Sequence, residues 1–123
     1  MVYRTITFMK ILLLVLLLYP MGSNVIEVYN PPAVVTEVTG YSSEVGQTDS
    51  TPHLTAAQTK VRDGVIACPR YIKFFTKVEV NGKEYICEDR MNIRHKDRFD
   101  IWFPSTQEAL QFGIKTLTVI IHE

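Results

Sequence analysis

The chain has 123 residues with 13 basic and 13 acidic side chains, enough for one small domain with no net charge. Without Arg4 and Lys10 at the N-terminus, 11 basic residues remain, so there is no basic surplus for a nucleic-acid binder held by phosphate contacts. The basic cluster Arg90, Arg94, Lys96 and Arg98 is interleaved with Asp89, Asp97 and Asp100, a mixed-charge loop and not a phosphate-binding stripe.

Residues 1–23 read as a secretory signal peptide or a retained N-terminal membrane anchor. Arg4 and Lys10 precede an apolar run, Ile11 to Tyr19, which Pro20 and the small pair Gly22-Ser23 close. On either reading the remainder is exported, and a membrane is expected as partner only through this segment, if it is uncleaved. Export makes Cys68 and Cys87 a candidate disulfide. With no His or Cys at ligand spacing around them, zinc is set aside, and no cofactor motif is present.

Residues 24–33 (NVIEVYNPPA) form an extended linker stiffened by Pro31 and Pro32, and residues 34–123 form the domain. Val34 to Tyr41, rich in β-branched residues, is the first predicted strand. Ser42 to His53 is a polar loop, with a brief return to extended structure over Leu54 to Ala56. Asp63-Gly64 is a turn, and Val65 to Cys68 a short apolar strand closed by Pro69. Phe74 to Val80 and Lys83 to Glu88 alternate on either side of Asn81-Gly82, the signature of a hairpin with a type I′ turn. That register sets Val78 opposite Tyr85, Thr76 opposite Cys87 and Phe74 opposite Asp89. Alternation then assigns Tyr85, Cys87 and Asp89 to one face and Ile86 and Glu88 to the other. After the polar crossover, Phe99, Ile101 and Phe103 point one way and Arg98, Asp100 and Trp102 the other. Ser105 and Glu108 form a capping box for a short helix with an apolar stripe of Ala109, Leu110 and Phe112, ended by Gly113. Thr116 to His122 is the last strand. Short strands, long crossovers and one small helix indicate an all-β barrel or sandwich, between which periodicity does not choose.

Asp89 and Asp100 stand eleven positions apart at the edges of two strands, with Trp102 beside the second. This is a candidate carbohydrate site, although aspartates flanking a loop also serve as turn formers or solvated charges. Trp102 suits stacking on a sugar face or packing in the strand. Arg90 and Arg94 suit carboxylate binding or a solvated loop, and Asn92 suits an N-acetyl group or a turn. His53, His95 and His122 are scattered and read as surface residues.

Several segments in order resemble the 3D (three-aspartate) domain shared by the membrane-bound lytic transglycosylase A family and small secreted wall proteins. They are VTGYSS (from Val38), TDSTPHLTA (from Thr48), GVIACP (from Gly64), FTKVEVNGKEY (from Phe75), EDRMN (from Glu88), RFDIWF (from Arg98) and EALQFG (from Glu108). The resemblance implies a six-stranded double-psi β-barrel with a peptidoglycan-cleaving cleft in the cell envelope, glycan strands as partner and no cofactor. It implies Asp100 as general acid and base, assisted by Asp89, and places Tyr41, Asp49, Thr51 and Thr55 near the cleft. Three departures stand out. Cys68 occupies the position of the family's first aspartate, the family's Asp-Thr-Gly-Gly turn is here Asp89-Arg90-Met91-Asn92, and its Thr-Ala-x-Gly segment is here Thr55-Ala56-Ala57-Gln58. Two expectations follow: a secreted peptidoglycan lytic transglycosylase, or a non-catalytic wall-binding or wall-remodelling module.

Overall fold

The computed structural model describes Gly22, residues 26–44 and residues 53–123. The leader reading, apart from Gly22, and the candidate residues Asp49 and Thr51 lie outside the described residues.

Six strands, β1 (Ala33–Tyr41), β2 (Val65–Cys68), β3 (Lys77–Val80), β4 (Lys83–Arg90), β5 (Phe99–Trp102) and β6 (Lys115–His122), close into a barrel. Their order around it is β1-β5-β2-β4-β3-β6. A sandwich is thereby excluded. β1 runs parallel to β5 and β2 parallel to β4, whereas the other neighbours are antiparallel. Four of the six strands, β1, β2, β4 and β5, are therefore neighbours in one half of the barrel, and both candidate aspartates lie there.

The core follows the period-2 pattern. Val38, Ile66, Val78, Val80, Tyr85, Phe99, Ile101 and Val119 are buried together, each large apolar side chain contributing roughly 1.5–3 kcal/mol. Cys68 and Cys87 join within this core, linking parallel neighbours β2 and β4 with their α carbons 5.7 Å apart.

At the hairpin turn Asn81 and Gly82 both have positive φ, 51° and 76°, as a type I′ turn requires, and Val78 pairs with Tyr85. Thr76 still meets Cys87, whose N–H donates to the Thr76 carbonyl at 2.9 Å. Phe74, however, does not pair with Asp89, and β3 begins only at Lys77. The reason is topological. β2 and β3 flank opposite edges of β4, so residues 69–76 must arch past the end of β4 to connect them. Two turns build the arch, Ile72 N–H to the Pro69 carbonyl and Thr76 N–H to the Lys73 carbonyl, with Phe75 at φ 67°.

Leu54 to Ala56 is likewise shorter than expected: Leu54 makes a single bridge to Lys60, and the chain turns at Ala56 and Ala57. The helix, α1 (Thr106–Phe112), is capped reciprocally, since Ser105 accepts from the Glu108 N–H and donates to its carboxylate at 2.9 Å. Its apolar stripe is narrower than the sequence suggests. Ala109 is buried and Phe112 packs on the core, but Leu110 is exposed, because adjacent helical positions diverge by about 100°. α1 sits against β1 at Gly40, where a Cβ would stand 2.7 Å from the Phe103 ring.

Candidate functional site

β2 and β4 start in step, Val65 with Ile86 and Ile66 with Cys87, and then slip: Ala67 pairs with Asp89 and Cys68 with Arg90. Glu88 is the extra residue of a β-bulge. The slip overturns the face assignment made from alternation, because an unpaired residue reverses which side the following side chains take. Asp89 shares a side with Ala67 instead of with Cys87. Ala67 is also the register partner of Asp100 on its other edge. The two aspartates thus flank one alanine, two strand spacings or roughly 10 Å apart at their α carbons. A methyl group is all that stands between them on the sheet.

Asp100 lies between Phe99 and Ile101, both in the core, so its side chain leaves the barrel on the opposite side with Trp102. The parallel neighbour β1 contributes Thr39 beside Asp100 and Tyr41 beside Trp102. Three donors converge on Asp89. The Tyr41 hydroxyl donates to Oδ2 at 2.7 Å, and the backbone N–H groups of Ala56 and Arg90 donate to Oδ1 at 3.0 and 2.9 Å. Burial and the neighbouring Asp89 charge hold the Tyr41 phenol protonated to far above its ordinary range. Asp100 differs sharply. Its Oδ1 is buried with no hydrogen-bond partner among the described residues. Burial pushes its carboxyl up to about 6, a hydrogen bond from Thr39 opposes that rise, and the Asp89 charge adds a lesser push upward. One carboxylate is held by donors; the other is poised to keep a proton near neutral pH.

Glu88 itself is 4 % exposed, with a bidentate partner in Arg62 at 2.6 and 3.0 Å. The Glu88 hydrogen bonds raise the Arg62 guanidinium above its usual range. The turn at 55–58 caps the bulge from above: Ala57 N–H donates to the Glu88 carbonyl while Ala56 N–H reaches Asp89. Thr55 is buried and bonds to Thr59 (Oγ1 to Oγ1, 2.7 Å), so it shapes this turn without touching a carboxylate.

The remaining candidates disperse. The Arg90 guanidinium lies 3.9 Å from the Phe74 ring centroid and donates to the Pro69 carbonyl at 3.2 Å. Burial, then Arg70, lowers its pKa. Asn92 Oδ1 accepts the Arg94 N–H at 3.0 Å in an Asx turn, and both side chains are exposed, with no described contact to Asp89 or Asp100. Trp102 donates its indole N–H to Ser43 at 2.9 Å, leaving its ring half-buried beside Tyr41. Sequence reasoning missed Thr39, Ala67 and the Arg62–Glu88 pair. Alternation in the first strand already put Thr39 on the Tyr41 face; no local signal announced the other three. Among the described residues no three His, Cys, Asp or Glu side chains gather as a metal site.

Compared with models of known families and with the sequences of curated proteins, the chain matches none.

Proposed function

We propose that this chain is an exported peptidoglycan-cleaving enzyme of the lytic transglycosylase kind, its barrel of the double-psi type, acting on glycan strands in the cell envelope. The observation that carries the reading is the contrast within one aspartate pair: a buried Asp100 carboxyl with a pKa of about 6 beside a donor-held Asp89. Cleavage without water needs a single acid that later acts as base, unlike hydrolysis by two carboxyl groups at a set separation. Protonated Asp100 donates to the oxygen between N-acetylmuramic acid and N-acetylglucosamine as the bond from that oxygen to the anomeric carbon breaks. Positive charge develops on the muramyl ring, and the Asp89 carboxylate stabilises it. The muramyl 6-hydroxyl then attacks the anomeric carbon and returns its proton to Asp100, which closes the cycle with a 1,6-anhydro product. Tyr41 and the Ala56 and Arg90 N–H groups position Asp89, and Trp102 offers a sugar-stacking ring.

A second reading is a non-catalytic wall-binding module. It is favoured by Cys68, which takes the place of the first aspartate in the 3D-domain resemblance and is tied into the buried disulfide, where it supplies no carboxylate.

Digestion of purified sacculi, with mass spectrometry of the released fragments, separates the two. The enzyme reading expects 1,6-anhydromuropeptides, activity that falls as pH rises through about 6, and a roughly 10²- to 10⁴-fold loss in Asp100→Asn with binding retained. Sacculus binding without anhydro product at any pH from about 5 to 8 would leave the binding module in its place.

A further inference from the structure

The arch between β2 and β3 reads PRYIKFFTK from Pro69 to Lys77, with three cations, three aromatic side chains and no acid. Folding buries only Ile72 among its large apolar groups, leaving Tyr71 and Phe75 each 59 % and Phe74 37 % exposed. Phe75 takes the left-handed region at φ 67°, costly for an aromatic residue, and is fixed there by its N–H bond of 2.8 Å to the Cys87 carbonyl. From Tyr71 to Lys77 the arch, with Pro32, Ile121, His122 and Glu123, lines a groove of about 820 Å³. Pro32 ends the segment that leads from the N-terminal apolar run, and that segment exposes Ile26, Val28 and Tyr29 as well.

We propose that this face rests on the surface of an anionic lipid bilayer. Aromatic rings at headgroup depth, flanked in sequence by Arg70, Lys73 and Lys77, match the chemistry of that interface. Lys77 is paired with Glu84 at 3.4 Å, but the pair is exposed and yields readily to lipid phosphate; Glu79, Glu123 and Asp97, whose charge acts on Tyr71, are the acids at the rim. Residues 22–31 reach at most roughly 35 Å, so a chain held by its apolar run keeps this face at the membrane. A second copy would set like charges against each other.

The test uses the full-length chain carrying Phe75→Trp in vesicles with acyl-chain-brominated lipid. One set contains roughly a third phosphatidylglycerol, and the other is pure phosphatidylcholine. The proposal expects quenching of the emission in excess of the wild type's in the anionic vesicles, with vesicle affinity reduced about fivefold for each of Lys73→Gln and Lys77→Gln. Absent quenching, equal quenching in both vesicle types, or an emission change produced only by self-association or by added glycan strands would overturn it. Should Phe75→Trp fold poorly, hydrogen exchange of the wild-type amides of residues 70–77 gives the same decision. Slower exchange in anionic vesicles alone supports the docking, and equal exchange in both refutes it.

Discussion

The two halves of β4 obey different rules. From Lys83 to Cys87 the strand follows a hairpin, alternates strictly and packs Tyr85 and Cys87 into the core. From Glu88 to Arg90 it takes its register from the parallel strand β2, inserts a bulge, buries a glutamate and turns an aspartate toward its partner. The first half is a folding element. The second departs from each local rule at the candidate site residues, and departures from local consistency concentrate at functional sites. Cys87 is the joint between them, and its disulfide to Cys68 spans the slip, with Cys87 before it on β4 and Cys68 after it on β2.

Breaking that joint has the largest expected effect. Replacing Cys68 and Cys87 together by alanine should cost roughly 3 kcal/mol in urea unfolding, by loop entropy for a separation of 19 residues. A loss well under ~1 kcal/mol would mean that the barrel closes equally well without the clamp.

The Arg62–Glu88 pair tests the second half alone. Arg62→Ala strands a buried carboxylate and should cost about 2 kcal/mol, discounted because the arginine side chain is 50 % exposed. Glu88→Gln releases Arg62 to water and should cost less. Thermal melts of both variants and the double variant check the asymmetry; equal costs would contradict a buried Glu88 as the dependent partner.

Much of the barrel was legible before any coordinates. Five of the strands, the Asn81-Gly82 turn and the Ser105–Glu108 cap rest on local periodicity and local hydrogen bonds, and they appear within two residues of their predicted bounds. The hairpin strand from Phe74 came out short because an arch forced by strand order consumed its first residues. The site was legible as a pair of aspartates but not as a geometry. The bulge depends on register with a strand some twenty residues upstream, and so does the alanine between the carboxyl groups. Nothing in the spacing of Glu88 and Asp89 reveals that partner. Arg90 and Asn92 look like binding residues in sequence, yet their side chains meet the Phe74 ring, the Pro69 carbonyl and the Arg94 backbone.

A smaller perturbation sharpens the contrast at the turn that caps the bulge. Gln58 holds φ 65°, and it stands where the resembling family has glycine. Gln58→Gly should relieve that conformation and stabilise the domain by up to about 1 kcal/mol, read from the urea midpoint. Destabilisation would mean that the glutamine side chain makes a compensating contact.

The central claim is that Asp100 keeps a proton that an ordinary aspartate would lose, and carboxyl-carbon NMR titration of the folded chain measures it directly. The account predicts one aspartate resonance with a midpoint near 6, absent in Asp100→Asn and moved downward in Asp89→Asn, where the like charge is gone. Because folding raises this pKa, the stability it contributes should be complete below 3.8, the ordinary value for aspartate, and lost as pH climbs through about 6. An Asp100 resonance titrating near 3.8, unmoved by Asp89→Asn, would contradict the account.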